Sequence, residues 1–158
     1  MSNAQTSAKQ KAQRAPLEFM VDEKYGSAEK IMALPPAGLV RILQDPDGSV
    51  YAKAKACMRL AVVGDGSAVE ALAALLGDPQ LSAYARFGLE PMRDPSADDA
   101  LRAALDKVKG IQLVGVINSI GFRKDKQALV RLQRLQHDPD TAVARAADAA
   151  LAQIRPPL

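Results

Sequence analysis

The stretch that decides the fold is DPDTAVARAADAALAQI, residues 138–154. It joins an Asp-Pro-Asp turn directly to one amphipathic segment. Proline ends the preceding helix, because its ring keeps the residue before it out of the α region. The second aspartate can accept backbone N–H bonds at the start of the next helix. Related Asp-Pro turns occur at residues 45–47 and 78–79. A turn that recurs about every thirty residues indicates a helical repeat protein.

The segment after the last turn carries its apolar side chains three and four residues apart, which places them on one face of a helix. The members of this face are Val143, Ala146, Ala147, Ala150, Leu151 and Ile154. Arg145, Asp148 and Gln153 fall outside it. The many alanines favour a helix and let neighbouring helices approach closely.

This stretch resembles the second helix of a HEAT-type repeat, in the short form found in phycobilisome-lyase-like proteins. That pattern reads roughly D-P-D-x-x-V-R-x-A-A-x-A-L-x-x-I, and the chain departs from it at Ala144, where an arginine is usual. The resemblance covers about residues 35–154 and is specific for fold rather than function. It implies an all-α protein, a right-handed α-α superhelix (a HEAT-like solenoid) of about four helical hairpins with an N-terminal capping helix.

The domain organisation follows from this pattern. We expect residues 1–15 to be a disordered tail or a vector-derived remnant, because they are small and polar. Residues 16–158 then form a single HEAT-like repeat domain, whose first helix, at 16–24, covers the N-terminal end of the stack. The hairpins are expected at about 36–64, 67–93, 96–121 and 125–155. No helix follows the last one to cover it, so the chain is either a solenoid with a polar outer side or a fragment of a longer protein.

Two local assignments need more than the repeat pattern of the turns. Residues 111–121 have the composition of a strand, but their position in the repeat predicts a helix with Val114, Ile117 and Ile120 inside. Tyr84 is expected to face the core.

The sequence also predicts how individual helices begin and end. Gly64 predicts a left-handed C-cap, because glycine adopts that conformation without a steric cost. Ser67 and Ser96 predict N-caps, since each is followed three residues later by an acidic side chain.

The composition is that of a soluble globular protein, with 48% hydrophobic and 25% charged residues. Aromatic residues are only 4%, which disfavours an antiparallel sheet domain. The net charge of +3 is too small to imply a nucleic-acid partner. No run of about eighteen apolar residues exists, so no membrane span is expected. The predicted location is the bacterial envelope or outside the cell if a signal peptide was removed, and otherwise the cytoplasm.

The sequence offers no catalytic, metal or cofactor site. The one histidine, His137, has no second histidine or cysteine beside it, which disfavours zinc. The one cysteine, Cys57, lies in an apolar stripe and is expected to be a buried, inert thiol. Residues 64–67 contain two glycines but lack the lysine of a phosphate-binding loop. We therefore expect a non-enzymatic protein without a cofactor.

The leading functional hypothesis is an interaction scaffold that presents a concave helical surface to a protein partner or to an adjacent domain of a longer parent chain. Polar and aromatic positions of the second helices are the candidate contacts: Tyr51, Lys55, Arg59, Arg86, Phe87, Glu90, Asn118 and Arg145. Arg86 and Phe87 are expected to matter most, because arginine and aromatic residues are common in binding hot spots. The alternative for Phe87 is that it packs inside the repeat interface.

A basic run between Arg102 and Arg134 supplies a second candidate surface. Asp106 and Asp125 are its only anions, and its cations are Arg102, Lys107, Lys109, Arg123, Lys124, Lys126, Arg131 and Arg134. Its turn residues would form an anion-binding rim, with solvated loop ends as the alternative: Lys107, Lys109, Arg123, Lys124 and Lys126. Two other functions are alternatives. One is a HEAT-like DNA-binding protein or DNA glycosylase, which the shortage of aromatic residues disfavours. The other is a scaffold segment of a larger secreted bacterial protein.

Overall fold

Helices dominate the part of the chain that the structure, a computed structural model, describes, which is residues 21–155. The α-helices are α1 (Ala28–Met32), α2 (Pro36–Gln44), α3 (Val50–Val63), α4 (Val69–Ala73), α5 (Ser82–Leu89), α6 (Pro95–Ala104), α7 (Gly110–Arg123), α8 (Leu129–Leu135) and α9 (Thr141–Ile154). Short 3-10 turns, Gly66–Ala68 and Lys126–Ala128, precede α4 and α8. The expectation of a helical protein is confirmed.

The N-terminal element is a small hairpin. The expected helix at 16–24 is wrong at its C-terminal end, because β1 (Val21–Asp22) pairs antiparallel with β2 (Gly26–Ser27). The Asp22 carboxylate accepts the backbone N–H groups of Lys24 and Tyr25, at 2.9 and 2.6 Å, which closes the turn. Gly26 has φ +85°, which glycine adopts without strain. Residues 16–20, the expected tail at 1–15 and residues 156–158 lie outside the described part.

Ion pairing and hydrogen bonding tie this hairpin to the first helical pair. Lys24 Nζ lies 2.6 Å from an oxygen of Asp45, and the Tyr25 hydroxyl donates to the same carboxylate. Ser49, which caps α3, donates its hydroxyl to Asp22. Asp45 therefore holds the N-terminal hairpin to the turn between α2 and α3.

The helices pack in two layers. Helix α2 pairs with α3, α4 with α5, α6 with α7, and α8 with α9. The second helices of these pairs, α3, α5, α7 and α9, contact one another in chain order, and so do the first helices α2, α4 and α6. One apolar core runs between the layers, and its fully buried members include Leu39, Leu60, Leu72, Leu89, Leu101, Ile117 and Leu132.

Helix α7 confirms the expectation for residues 111–121. Ile117 and Ile120 are buried and Val114 is half-buried. Since α7 packs against α5, α6 and α9, its β-branched side chains have apolar neighbours on three sides. The helix ends at Lys124, whose φ of 57° is left-handed. The apolar composition of this segment therefore reflects a central helix, not a strand.

The helix caps differ from the expected ones. Gly64 has φ −72° and ψ 155°, so it is extended and not left-handed. Asp65, not Ser67, caps the turn before α4, and Asp94, not Ser96, caps α6. Each carboxylate accepts the serine N–H at 2.9 Å and the serine O–H at 2.6 Å. These bonds hold the pKa of Asp65 and of Asp94 below the usual range.

Candidate functional site

One side of the second-helix layer is open. Helix α5 contacts α3, α4 and α7, and helix α7 contacts α5, α6 and α9. Three sides of each helix are therefore covered and the fourth faces solvent. We call the solvent-facing side of α3, α5, α7 and α9 the open face.

Large apolar side chains lie on this open face. On α5, Phe87 is 53% exposed and Tyr84, one turn earlier, is 40% exposed. The expectation that Tyr84 faces the core is wrong, because the side of α5 that packs inward is formed by Ser82, Ala85, Gly88 and Leu89. We call the exposed apolar residues of the open face the apolar row: Val62, Tyr84, Phe87, Ile111 and Phe122. Several exposed apolar residues on one surface mark an interaction site more often than single ones do.

The seam between α5 and α7 is held by a polar cluster. Ser119 is fully buried and donates its hydroxyl to Glu90 Oε1 at 2.6 Å. Arg86 Nη1 lies 3.4 Å from the same hydroxyl and 3.9 Å from Glu90. The Arg86 guanidinium lies against Gly115, where an added Cβ would be 2.6 Å from Nε. Arg86 and Glu90, both candidate partner contacts, therefore hold two helices together.

The other candidate contacts lie at different depths. Tyr51, Lys55 and Arg59 are half-buried along α3, and Lys55 Nζ lies 5.6 Å from the centroid of the Tyr51 ring. Asn118 on α7 and Arg145 on α9 are exposed. The open face thus brings Phe87, Asn118 and Arg145 to the surface.

Four of the five residues of the candidate anion rim are exposed, and Arg123 is not. Lys107, Lys109, Lys124 and Lys126 are exposed, but the Arg123 side chain is only 8% exposed. Its guanidinium makes a two-pronged contact with Asp98, with Nε–Oδ1 at 2.5 Å and Nη2–Oδ2 at 2.9 Å. Arg123 is therefore an internal residue. Anion binding by the four lysines stays a prediction.

Arg123 also closes the end of helix α5. Its Nη1 donates to the carbonyl oxygens of Leu89, Glu90 and Met92, at 3.0, 2.9 and 2.5 Å. The last carbonyls of a helix have no partner within the helix. One arginine of α7 thus satisfies the C-terminal end of α5 while its ion pair reaches the first turn of α6. The sequence gives no local signal for this, because the partners are about thirty residues away.

Other arginines of the basic run are paired in the same way. Arg102 contacts Asp99 and the buried Asp125, and Arg131 contacts Asp106. Arg131 Nη1 also donates to the Arg102 carbonyl oxygen at 2.9 Å. Sequence reasoning therefore overestimated the free positive charge of this region.

The Cys57 thiol and the His, Asp and Glu side chains are the groups that nucleophilic or metal chemistry would use. Cys57 is fully buried, and burial raises the pKa of its thiol to about 12. Across residues 21–155, no three His, Cys, Asp or Glu side chains are grouped closely enough to bind a metal ion. No helix within that range has the length and apolar character needed to cross a membrane.

No protein-family model matches the chain, and no curated protein is significantly similar to it. The open face and its charges are therefore the basis for a functional proposal.

Proposed function

We propose that the chain is a HEAT-like helical repeat protein that binds a protein partner on its open face and has no catalytic role. The chain-order packing of first helices on first helices and of second helices on second helices supports this reading, because that is how a solenoid is built. In a right-handed α-α superhelix the second helices line the concave side. The open face would then be the concave surface.

The observation that carries the proposal is the exposure of Phe87 beside Tyr84 on α5. The helix buries Ala85 and Leu89, and Phe87 lies on the side opposite to them. Aromatic side chains give large contact areas at a low cost in conformational entropy, so they commonly anchor protein partners. The rest of the apolar row extends this surface onto α3 and α7.

The candidate residues have two different roles in this proposal, direct contact with the partner and support of the open face. Phe87, Asn118 and Arg145 are exposed and can contact a partner directly. Arg86 and Glu90 support the face by joining α5 to α7 through Ser119. The DNA-binding alternative is weakened, because the basic run on which it rested has three of its arginines paired with aspartates.

Site-specific photo-crosslinking in the native cells tests this proposal. A benzoylphenylalanine at position 87 replaces one exposed aromatic side chain with another. The matched control places it at Val130, which is 61% exposed on α8 in the first-helix layer. We expect a discrete adduct from position 87 and none from position 130. Equal adducts from both positions, or none from either, would contradict an interface on the open face.

A further inference from the structure

The charge of the second-helix layer is one-sided. Its four helices contain six cations, which are Lys53, Lys55, Arg59, Arg86, Arg123 and Arg145, and one anion, Asp148. Asp148 accepts a hydrogen bond from Gln136 Nε2 at 2.6 Å, so it is engaged with the segment after α8. The first helices α2, α4, α6 and α8 carry four cations, Arg41, Arg102, Arg131 and Arg134, and three anions, Glu70, Asp98 and Asp99. Arg123 is internal and Arg86 lies beside Glu90, so the cations of this layer without a carboxylate neighbour are Lys53, Lys55, Arg59 and Arg145.

Three of these cations flank the apolar row without a carboxylate partner. No described ion pair joins Lys55, Arg59 or Arg145 to a carboxylate among residues 21–155. Each of the three can therefore form an ion pair with a carboxylate from outside the chain.

We propose that the open face binds an acidic peptide segment of a partner protein, with apolar side chains seated on Tyr84 and Phe87 and carboxylates paired with Arg59 on one side and Arg145 on the other. This inference rests on the proposed function and names the chemistry of the partner. Tyr84 and Phe87 supply the apolar contact area. Arg59 and Arg145 select against cationic segments, because opposite charges speed association and like charges oppose it.

The spacing of the helices sets the length of the segment. Packed helices lie about 8–10 Å apart, and α3 and α9 are separated by three such steps. A segment that crosses the layer from Arg59 to Arg145 therefore spans roughly 27 Å. An extended chain covers about 3.3 Å per residue, so about eight to nine residues suffice.

A protein segment fits this face better than a nucleic acid. Ile111 is 80% exposed and Val62 is 75% exposed, and a sugar-phosphate backbone covers such aliphatic groups poorly. The free cations are few, and nucleic-acid affinity depends on the number of neutralised phosphates. Lys55 is also partly engaged with the Tyr51 ring.

Selection from an unbiased display library of random twelve-residue peptides tests the inference. The whole chain is the bait, and a Tyr84→Ser/Phe87→Ser variant is the counter-bait. We expect the enriched peptides to have net negative charge and at least one aromatic or large aliphatic residue. Arg59→Gln and Arg145→Glu should each weaken a selected peptide by about ten-fold or more in fluorescence anisotropy. The matched control, Arg134→Glu on α8, should change affinity less than two-fold, about the scatter of such assays.

The outcomes separate the two proposals. Enriched peptides that are neutral or basic, yet depend on Phe87, would overturn the acidic partner and leave the interaction scaffold supported. Enrichment that is equal on bait and counter-bait would overturn both. Tighter binding of twelve-nucleotide single-stranded or duplex DNA than of any selected peptide, at physiological salt, would also overturn the acidic partner. Because Arg145 is exposed, its variant remains informative even if Arg59→Gln impairs folding.

Discussion

Gly121 of α7 packs directly against Ala150 of α9. A Cβ added to Gly121 would lie 2.9 Å from the Cα of Ala150, closer than folded proteins allow, and 3.0 Å from its Cβ. The two helices pack backbone to backbone here, and neither can move without opening the core. We therefore expect Gly121→Ala to lower the free energy of unfolding by about 2 kcal/mol, as overpacking commonly does, measured by urea denaturation.

Gly115→Ala is the matched control on the same helix. Its added Cβ meets the guanidinium of Arg86, a side-chain end whose displacement gives up only the 3.4 Å contact with Ser119 and the 3.9 Å approach to Glu90. The gain in helix propensity, about 1 kcal/mol, is the same at both positions. We expect Gly115→Ala to change the unfolding free energy by less than about 1 kcal/mol. Equal destabilisation by the two variants would mean that α7 and α9 are not in close backbone contact.

The Arg123 contacts lead to a second prediction. Arg123→Met leaves the carbonyls at the end of α5 without their donor and Asp98 without its partner, so we expect a loss of about 2–3 kcal/mol. Arg123→Lys should recover less than half of that, because lysine cannot form the two-pronged contact. Hydrogen exchange at residues 90–94 should accelerate in both variants. If residues 90–94 of Arg123→Met exchanged at the wild-type rate, the Arg123 hydrogen bonds would not stabilise this loop.

The Asp45 interactions predict an acid-sensitive link. Lys24 and Tyr25 lower the pKa of Asp45 to about 2 from its usual 3.8. A lowered folded-state pKa stabilises the protein above the unfolded value, and this stabilisation is lost as the pH falls from about 4 through 2. Asp45→Asn should therefore lower the urea midpoint at about pH 6, with a difference from wild type that shrinks towards pH 2.

Asp47→Asn controls for a general loss of charge in the same turn. The Asp47 side chain is exposed and makes no hydrogen bond or ion pair within the described residues. The Asp47→Asn midpoint should follow the wild type across the range. A difference between Asp45→Asn and wild type that is independent of pH would assign the effect to packing and not to ionisation.

The buried thiol supplies a fourth prediction. With a pKa of about 12, Cys57 remains protonated at physiological pH, and only the thiolate is a strong nucleophile. Iodoacetamide at about pH 8 should leave the folded protein unmodified and alkylate it fully in denaturant. Mass spectrometry measures the extent of Cys57 alkylation in the folded and in the denatured protein. Rapid alkylation of the folded protein would place Cys57 at the surface.

The helical fold class could be predicted because its signals are local. The Asp-Pro turns and the three-and-four spacing of apolar residues act within one helix and its neighbour. Position in the repeat correctly assigned residues 111–121 to a helix although their composition resembles a strand.

Features that depend on distant partners could not be predicted. The Val21–Asp22 strand is held by Asp45 and Ser49, which lie more than twenty residues away. The basic run predicts a surface position for Arg123. Its partners at residues 89–98 lie too far away in the sequence for the residues around Arg123 to indicate them. Tyr84 was assigned to the core because periodicity alone does not fix the rotation of a helix of eight residues.

The most direct test is a calorimetric titration of the partner that crosslinks to position 87. The proposal predicts that Tyr84→Ser/Phe87→Ser weakens binding about thirty-fold or more, as loss of a hot spot does. The control variant Val130→Ser, which removes an exposed apolar side chain from the first-helix layer, should stay within about two-fold of wild type. A partner that binds the Tyr84→Ser/Phe87→Ser variant as tightly as wild type, with both proteins folded, would contradict the assignment of the open face as the binding surface.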